Sequence, residues 1–413
     1  MKPQSPALAS PWRSELMPGA LAALLTLPQA LALAALAGMP FQAGIHLALV
    51  PALAATLIGH SPVALSGPNT AASLILASSA SALATPGSAE YVQQVLATTL
   101  LAGAFQVLLA AARVGNLLLE LPDSVTRGVL AGTGVLIVAQ QAGPLLAVPV
   151  NGSGIVEMVA QALWFDAPNG RAAFVGVVSI LAGLGAQACG NRRSSLLVAL
   201  LAGWLAAELA DLALGAANTG IERLGAVTIG GGFLSWPAVD AADPSHLLAA
   251  ARDGFAVAVV GALQTAVTAR ILAMRVGGTL GINRDIAGQA AMNLLAAFTS
   301  AFAGAASFNR SLANVDAGAC GRQAGIYCVA FLGLGTLLAG PLLARIPLPA
   351  VAGVLVLVGV SMIVGARGRA PRRGYLAELA ATALAAVFLG LLPAVMVGAL
   401  LAAYFRAVTP RLA

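Results

Sequence analysis

The sequence contains 413 residues, of which 59% are hydrophobic and only 9% are charged, and its formal net charge is +6. A soluble globular chain carries about 25% charged residues, so this composition excludes a soluble domain and predicts a polytopic membrane protein. Lys2 is the only lysine, which excludes a phosphate-binding loop ending in Gly-Lys-Ser/Thr, and the basic residues fall between apolar runs, which argues against nucleic-acid binding.

Long apolar runs recur along the whole sequence. Those at 16–38, 98–112, 128–143 and 351–366, alone or with their flanks, are long enough to cross about 30 Å of hydrocarbon at about 1.5 Å per residue. Hydropathy predicts roughly fourteen spans, so the predicted fold class is an all-α membrane protein. The first run is interpreted as a span rather than a cleaved signal peptide, because little basic sequence precedes it and many spans follow it.

A weakly hydrophobic, glycine-rich stretch at 215–248 divides the sequence near its middle. We expect it to form an extracytoplasmic loop between a first repeat, residues 1–214, and a second repeat, residues 249–413. Seven predicted spans lie on each side of the loop. Because seven is odd, the second repeat must enter the membrane in the opposite orientation, an arrangement typical of secondary transporters.

The basic residues predict the orientation of these spans. If the N-terminus is cytoplasmic, 16 of the 21 lysines and arginines fall on the cytoplasmic side, four fall outside and Arg310 falls inside the membrane. The positive-inside rule therefore predicts that both termini are cytoplasmic. The arginines of 367–373 are expected to fix this topology at the membrane surface, where anionic lipid is a further partner. Glu378, on the predicted thirteenth span, is expected near the aqueous boundary.

Two segments, one in each half, interrupt the pattern of uniform spans. In 59–84, Gly67 and Pro68 precede a short apolar run, so a helix is predicted to start near Pro68, because proline is tolerated in a first turn. In 304–316, a glycine and several polar residues precede a short run that soon reaches Asp316. Each segment is the third span of its half. We interpret both as extended segments that lead into half-helices with N-termini near the membrane midplane.

Two helix N-termini that meet at the midplane would form an anion site, because each offers free backbone N–H groups and about half a positive charge. Arg310 would add a full charge, and an arginine inside a membrane costs about 2.5–3.5 kcal/mol, so a functional role is the default expectation. Alternatively, Arg310 could bind backbone carbonyls or Asp316, and Asn69 and Thr70 could cap a helix, a role compatible with anion binding. The polar donors of this site are Ser66, Asn69, Thr70, Ser307 and Asn309.

Four motifs, taken in order, resemble the sulfate permease (SulP) family of anion transporters, also called solute carrier family 26. "LPQALALAALAGMP" at 27–40 is similar to the family's Pro-Gln pattern, and "GHSPVALSGPNTAASL" at 59–74 is similar to its Gly-x-Ser-x-x-x-Ser-x-Gly-Pro segment. The stretch 281–326 resembles the Asn-(Arg/Gln)-Glu segment that leads to the family's Ser-x-Ser-Arg helix start, and 346–363 resembles its Ile-Pro-x-Ala span. The resemblance covers essentially the whole chain.

The resemblance implies a core domain that moves against a gate domain, a homodimer, and transport of sulfate, bicarbonate, chloride, oxalate or a small dicarboxylate. A dicarboxylate carried together with protons is the leading hypothesis for a bacterial-type sequence of the inner membrane. The resemblance also implies that residues of the first, third and tenth spans bind the substrate. With the polar residues above and one residue of the eighth span, the candidate substrate-binding residues are Gln29, Leu33, Ser66, Pro68, Asn69, Thr70, Gln264, Ser307, Phe308, Asn309 and Arg310.

The sequence departs from the family pattern in two places. Gln264 stands where many bacterial members have a glutamate, which puts carboxylate-based cation coupling at that position in doubt. The sequence also ends at Ala413, before the cytosolic STAS domain that members usually carry, so it is expected to be a naturally short member or a truncated chain. The predicted motion occurs between the core and spans 5–7 and 12–14, with 113–123 and 341–350 as bending linkers.

Three other classes of function stay open as alternatives. A nucleobase:proton symporter of the same architecture would need carboxylates in the eighth and tenth spans, where Gln264 and Asn309 stand. An anion channel or an electromotile protein would share the positive site and differ in its gates or in turnover. An enzyme is disfavoured because Ser307 has no histidine nearby in the sequence. The three cysteines and three histidines have no metal-ligand spacing, so no metal or cofactor is predicted.

Overall fold

The computed structural model describes residues 11–118, 122–148, 161, 168–191, 194–223, 232–237, 244–366 and 374–408. The regular structure of these residues is α-helical, as the sequence predicts, apart from two strands of three residues each. The elements in chain order are α1 Pro11–Leu36, α2 Phe41–Ala48, α3 Val50–Ile58, β1 Ser66–Pro68, α4 Thr70–Ala80, α5 Ala89–Ala111, α6 Gly115–Leu118, α7 Asp123–Gln140, α8 Ala142–Leu146, α9 Gly170–Ala188, α10 Ser195–Leu214, α11 Ala216–Thr219, α12 Pro244–Val276, α13 Ile282–Phe298, β2 Gly304–Ala306, α14 Phe308–Asp316, α15 Gln323–Leu343, α16 Leu348–Gly365, α17 Tyr375–Phe388 and α18 Leu391–Val408.

Apolar helices dominate the part of the chain that the structure describes. Eight helical segments there are long and apolar enough to cross a membrane, and four further apolar helices, among them α4 and α17, are shorter. The predicted membrane protein is therefore confirmed, whereas the count of seven spans in each repeat stays a prediction. Helix α12 begins at Pro244, inside the predicted loop, because proline is favoured in a first turn. The rest of that loop is described only in part, and the arginines of 367–373 lie outside the described residues.

The chain folds as two compact units, and each unit takes segments from both halves of the sequence. The first unit comprises Met1–Gly115 and Thr228–Gly340, and the second comprises Asn116–Val227 and Pro341–Ala413. Two of the boundaries lie inside or directly beside the segments that the sequence predicts as bending linkers. All of the candidate substrate-binding residues belong to the first unit.

Helices of the first unit approach one another at glycines. A Cβ atom on Gly44 of α2 would lie 1.9 Å from the carbonyl oxygen of Ala30 in α1. One on Gly103 of α5 would lie 2.8 Å from the backbone nitrogen of Leu294 in α13. Small residues permit this close packing, which stabilises helix pairs in lipid, where the hydrophobic effect no longer drives helices together.

The two strands of the first unit pair with each other. They are antiparallel, and each strand ends immediately before a helix: α4 begins at Thr70, after β1, and α14 begins at Phe308, after β2. The predicted extended segments leading into short helices are thereby confirmed, whereas the position of the helix N-termini near the midplane stays a prediction. The paired residues are Ser66 with Ala306, Gly67 with Ala305, and Pro68 with Gly304.

In the second unit, α7 packs against α16 and α17. A Cβ atom on Gly134 would lie 2.6 Å from the carbonyl oxygen of Gly359, so these two helices also touch through glycine. Ser124 of α7 donates a hydrogen bond to the carboxylate of Glu378 in α17. Glu378 is fully buried within the protein, and its predicted position near the aqueous boundary stays a prediction. The hydrogen bond from Ser124 offsets part of the cost of removing this carboxylate from water.

The substitution Gly44→Ala is expected to lower the free energy of unfolding by about 1–3 kcal/mol, because the new methyl group would overlap the backbone of α1. Gly335→Ala in α15 is the matched control, since no atom lies within 4 Å of a Cβ added there. The control is expected to leave stability unchanged or to raise it by about 0.5–1 kcal/mol. Thermal unfolding of the purified variants in detergent measures both, and equal losses would contradict the packing described for Gly44.

A candidate anion site at the start of two short helices

The close pairing of the two strands requires glycine at position 304. A Cβ atom on Gly304 would lie 2.3 Å from the carbonyl oxygen of Gly67 and 2.9 Å from its carbonyl carbon. Any other residue at 304 would therefore push β2 away from β1. Gly67 itself has φ of +145°, a conformation that L side chains rarely adopt. These two glycines bring the N-termini of α4 and α14 into the same part of the first unit.

The N-terminus of α4 is closed by its own cap. The side-chain oxygen of Asn69 accepts hydrogen bonds from the backbone nitrogens of Ala71, at 3.0 Å, and Ala72, at 3.4 Å. The carbonyl oxygen of Asn69 accepts the first intrahelical bond, from Ser73, at 3.0 Å. Asn69 is 9% exposed and Thr70 is also buried. The capping role that the sequence left open for Asn69 is confirmed, and the cap uses up two of the donors available to an anion.

The N-terminus of α14 is open by comparison. Ser307 occupies the cap position, yet its side chain accepts no hydrogen bond there. The first intrahelical bond runs from Ser311 to the carbonyl oxygen of Ser307, at 3.0 Å. The backbone N–H groups of Phe308, Asn309 and Arg310 precede that bond, and among the described residues none of them has a partner. Because Ser307, Phe308 and Asn309 are half-buried, these donors lie at the edge of the packed interior.

Two further polar side chains hold α14 in place. The hydroxyl of Ser311 accepts a hydrogen bond from the backbone nitrogen of Leu65, at 2.9 Å, and Asn314 donates to the carbonyl oxygen of Val63, at 3.1 Å. Ser307, Ser311 and Asn314 follow one another at helical spacing, so they share one face of α14. Ser311 and Asn314 are not among the residues predicted for the site, although their polar periodicity in an apolar chain is a signal that could have found them.

Arg310 is buried inside the first unit. Only 1% of its surface is exposed, and its Nη2 atom donates to the carbonyl oxygen of Pro68, at 3.0 Å. Its Nε and Nη1 atoms have no hydrogen-bond partner in the described part of the chain. A Cβ atom on Gly67 would lie 3.4 Å from Nη2, so the guanidinium packs directly against the backbone of β1. No described carboxylate forms a salt bridge with Arg310, and the side chain of Asp316 lies outside the described residues.

The remaining candidates lie on elements that pack around the two strands. Gln29 and Leu33 are buried on α1, which packs against β1, α4 and α14. Gln264 is half-buried on α12, which packs against α4, β2 and α14, and its Oε1 atom accepts no hydrogen bond from a described residue. Ser66 accepts a hydrogen bond from Gln289 of α13, at 2.8 Å. The structure therefore places all of the candidates in one region, while their role in substrate binding stays a prediction.

Comparisons with known proteins agree with this architecture. The model of the sulfate permease family matches residues 12–373. The chain is 26% identical over 364 residues to the bicarbonate transporter BicA of Picosynechococcus sp., a match that covers 85% of this chain and 62% of that protein. It is 27% identical over 359 residues to the probable sulfate transporter MT1781 of Mycobacterium tuberculosis, again with 85% of this chain and 62% of the relative covered.

Solved structures show the same fold. The transmembrane domain of a cyanobacterium bicarbonate transporter BicA matches with a TM-score of 0.79 at 21% identity, over 94% of this chain and 97% of that chain. The murine Slc26a9 anion transporter in the inward-facing state matches with a TM-score of 0.80 at 17% identity, over 97% of this chain and 69% of that chain.

The named relatives are all described as transporters, and none is described as an enzyme. This chain spans about three fifths of the length of the two curated relatives, 62% in each case. The family model nevertheless matches from residue 12 to residue 373, which is far more than half of the chain. The chain therefore belongs to the sulfate permease family.

Proposed function

We propose that this chain is the membrane part of a secondary transporter that moves small anions by alternating access around the site between its third and tenth spans. The N-terminus of α14 carries the proposal, because three N–H groups there have no partner in the described residues and lie next to the charge of Arg310. Backbone donors together with a helix dipole form a common type of anion site. Two nitrogens of the Arg310 guanidinium, Nε and Nη1, have no partner among the described residues, which supports a role for its charge in stabilising an anion.

The chemistry of these donors favours a small anion with several acceptor atoms. Sulfate, bicarbonate and carboxylates present oxygen atoms to N–H groups, and chloride can accept from them as well. The names of the relatives, a bicarbonate transporter and a probable sulfate transporter, support the same class. A dicarboxylate carried with protons remains our leading candidate, because a proton that travels with a doubly charged anion reduces the net charge that must cross the hydrocarbon.

Alternating access would come from motion between the two compact units. The first unit carries all of the candidate substrate-binding residues, and its boundaries after Gly115 and Gly340 support bending at 113–123 and 341–350. We further propose a homodimer in the bacterial inner membrane with both termini in the cytoplasm. The resemblance supports the dimer, and the distribution of basic residues supports the orientation.

Uptake into proteoliposomes tests this proposal. We expect saturable uptake of a labelled dicarboxylate, sulfate or bicarbonate that rises when the outside is acidic and that is accelerated by preloading the vesicles with the same anion. Preloading accelerates a carrier because its site returns loaded, whereas it does not accelerate a channel. Saturable uptake that ignores the pH gradient would remove proton symport, and unsaturable current would favour a channel. Uracil uptake without anion uptake would favour the nucleobase symporter instead.

Replacing Arg310 with alanine is expected to weaken apparent anion affinity by at least about tenfold, since it removes a charge while keeping both helix N-termini. Arg310→Lys is expected to recover most of this loss, because the guanidinium is buried and bonded to Pro68, and so acts through its potential rather than by a two-pronged grip. Concentration dependence of uptake measures both variants.

Arg322→Ala is the matched control for Arg310. Its guanidinium also donates to backbone carbonyls, those of Leu57 and Gly59, but it lies nearer to solvent. Its removal is expected to lower stability and to leave apparent affinity within about twofold, since solvent and salt screen its charge. If Arg310→Ala transports with the affinity and rate of the native chain, Arg310 is structural and the proposed electrostatic role is wrong.

Substitutions of Asn69 distinguish its effect on stability, as the cap of α4, from its effect on the affinity for anions. Asn69→Asp keeps a capping oxygen but adds a negative charge, so we expect native-like stability with apparent anion affinity reduced by at least about tenfold. Asn69→Ser keeps a neutral cap and is expected to retain affinity, whereas Asn69→Ala is expected to lose about 1 kcal/mol of stability. Thermal unfolding and uptake kinetics measure the two effects. Unchanged affinity in Asn69→Asp would place the anion away from α4.

A further inference from the structure

Helix α13 presents a polar stripe to the two strands. Asp285, Gln289 and Asn293 follow one another at intervals of four residues, so they lie on one face of the helix. At about 1.5 Å per residue the stripe is roughly 12 Å long. All three side chains are buried, at 5%, 4% and 0% exposure respectively. Buried polar groups are costly unless they are bonded, so their partners indicate what the stripe is for.

The first two residues of the stripe bind neighbouring parts of the chain: Asp285 binds the segment before β1, and Gln289 binds β1 itself. The carboxylate of Asp285 accepts hydrogen bonds from the backbone nitrogen of His60, at 2.7 Å, and from the backbone nitrogen and hydroxyl of Ser61, each at 2.8 Å. Gln289 donates to the hydroxyl of Ser66, the first residue of β1, at 2.8 Å. Both contacts tie the first half of the sequence to a helix of the second half.

Asn293 holds β2 through both ends of its amide. The backbone nitrogen of Gly304 donates to Oδ1, at 2.8 Å, and Nδ2 donates to the carbonyl oxygen of Gly304, at 3.2 Å. The side chain thus forms the pair of backbone hydrogen bonds that a neighbouring strand would otherwise form with Gly304. The Nδ2 atom also donates to Oε1 of Gln106 in α5, at 2.8 Å, which fixes the orientation of the amide. Gln106 is itself fully buried.

We propose that Gln289 and Asn293 are positioning residues, which set the register and depth of β1 and β2 and thereby the place of the anion donors on α14. Two strands of three residues are too short to fix their own position. The free N–H group of Phe308 follows Gly304 by only four residues, so a shift of β2 moves it directly. In enzymes a misplacement of about 1 Å can cost about 100-fold in rate, and by analogy we expect a shift of β2 to weaken anion binding. The proposal rests on the proposed anion site.

The test compares Asn293→Ala with Gln94→Leu, which removes a buried amide elsewhere in the first unit. Gln94 lies on α5 and donates to the carbonyl oxygen of His246, at 3.2 Å, away from both strands. Both variants are expected to lose stability. Only Asn293→Ala is expected to raise the KM for anion uptake, by about 10- to 100-fold, and to increase hydrogen exchange of peptides that cover 304–310. Gln289→Leu is expected to raise the KM through Ser66, by a smaller factor.

Milder variants keep the test decisive if Asn293→Ala fails to fold. Asn293→Ser retains one polar group for Gly304 and is expected to raise the KM less than alanine. Gln106→Leu leaves Asn293 in contact with Gly304 but removes its orienting partner, and it is expected to add nothing further when combined with a substitution of Asn293. Native KM and native exchange in the Asn293 variants, at a stability loss equal to that of Gln94→Leu, would overturn the proposal.

The two proposals fail in different ways. If the native chain transports no anion, the proposed function is wrong, and hydrogen exchange over 304–310 still decides whether Asn293 positions β2. If the native chain transports anions and Asn293→Ala behaves like Gln94→Leu in both measurements, the anion site stands and the positioning role is wrong. Raised exchange with an unchanged KM would also overturn the positioning role, because β2 would then move without affecting the site.

Discussion

Extended backbone inside a membrane protein must find its hydrogen-bond partners within the protein, because hydrocarbon offers none. The antiparallel pairing of β1 with β2 meets this constraint for the two segments that interrupt the helical spans. Everything else in the candidate site depends on the pairing, since α4 and α14 begin where the strands end. The contact between Gly304 and Gly67 is what allows the backbones to come close enough.

The N-termini of α4 and α14 differ in their free N–H groups, so the donors of the candidate anion site lie mainly on α14. Asn69 uses its side chain to close α4, whereas α14 keeps its first N–H groups free in the described structure and also carries Arg310. A donor set made from backbone groups has no rotamers to lose and no proton to release. Arg310 is buried and held by its bond to Pro68, so in the proposed site its charge would act from inside the protein.

The sequence predicts the outline of this site because its strongest signals are local. Glycine and proline before a short apolar run are enough to predict a broken helix, and Arg310 is conspicuous in a chain with so little charge. The supporting amides are not predictable in the same way. Asn293 continues the polar stripe of α13, but its partner Gln106 lies 187 positions away, so nothing nearby in the sequence indicates the bond between them.

The burial of single polar side chains and the partners that they bind are also hard to predict, because these partners are not apparent from the neighbouring sequence. Glu378 is charged and close to a helix start, which suggests contact with water, yet α7 covers it and Ser124 bonds it. The sequence marks Asn69 as a possible cap as well as a candidate ligand, and the distances to Ala71 and Ala72 establish the cap. In both cases the hydrogen-bond partner is determined by helix packing or by backbone geometry, and neither can be predicted from hydropathy.

The pairing of β1 with β2 also imposes an order on biosynthesis. Ser66 pairs with Ala306, so the two strands are made 240 residues apart. At about 5–20 residues per second, the ribosome needs about 12 to 48 s to supply the second strand after the first. During that interval the polar backbone of 66–68 cannot rest in hydrocarbon, because its partner does not yet exist. Until β2 is made, the backbone N–H and C=O groups of 66–68 must therefore form hydrogen bonds with water or with the insertion machinery. The completed core can enter the bilayer only late in synthesis.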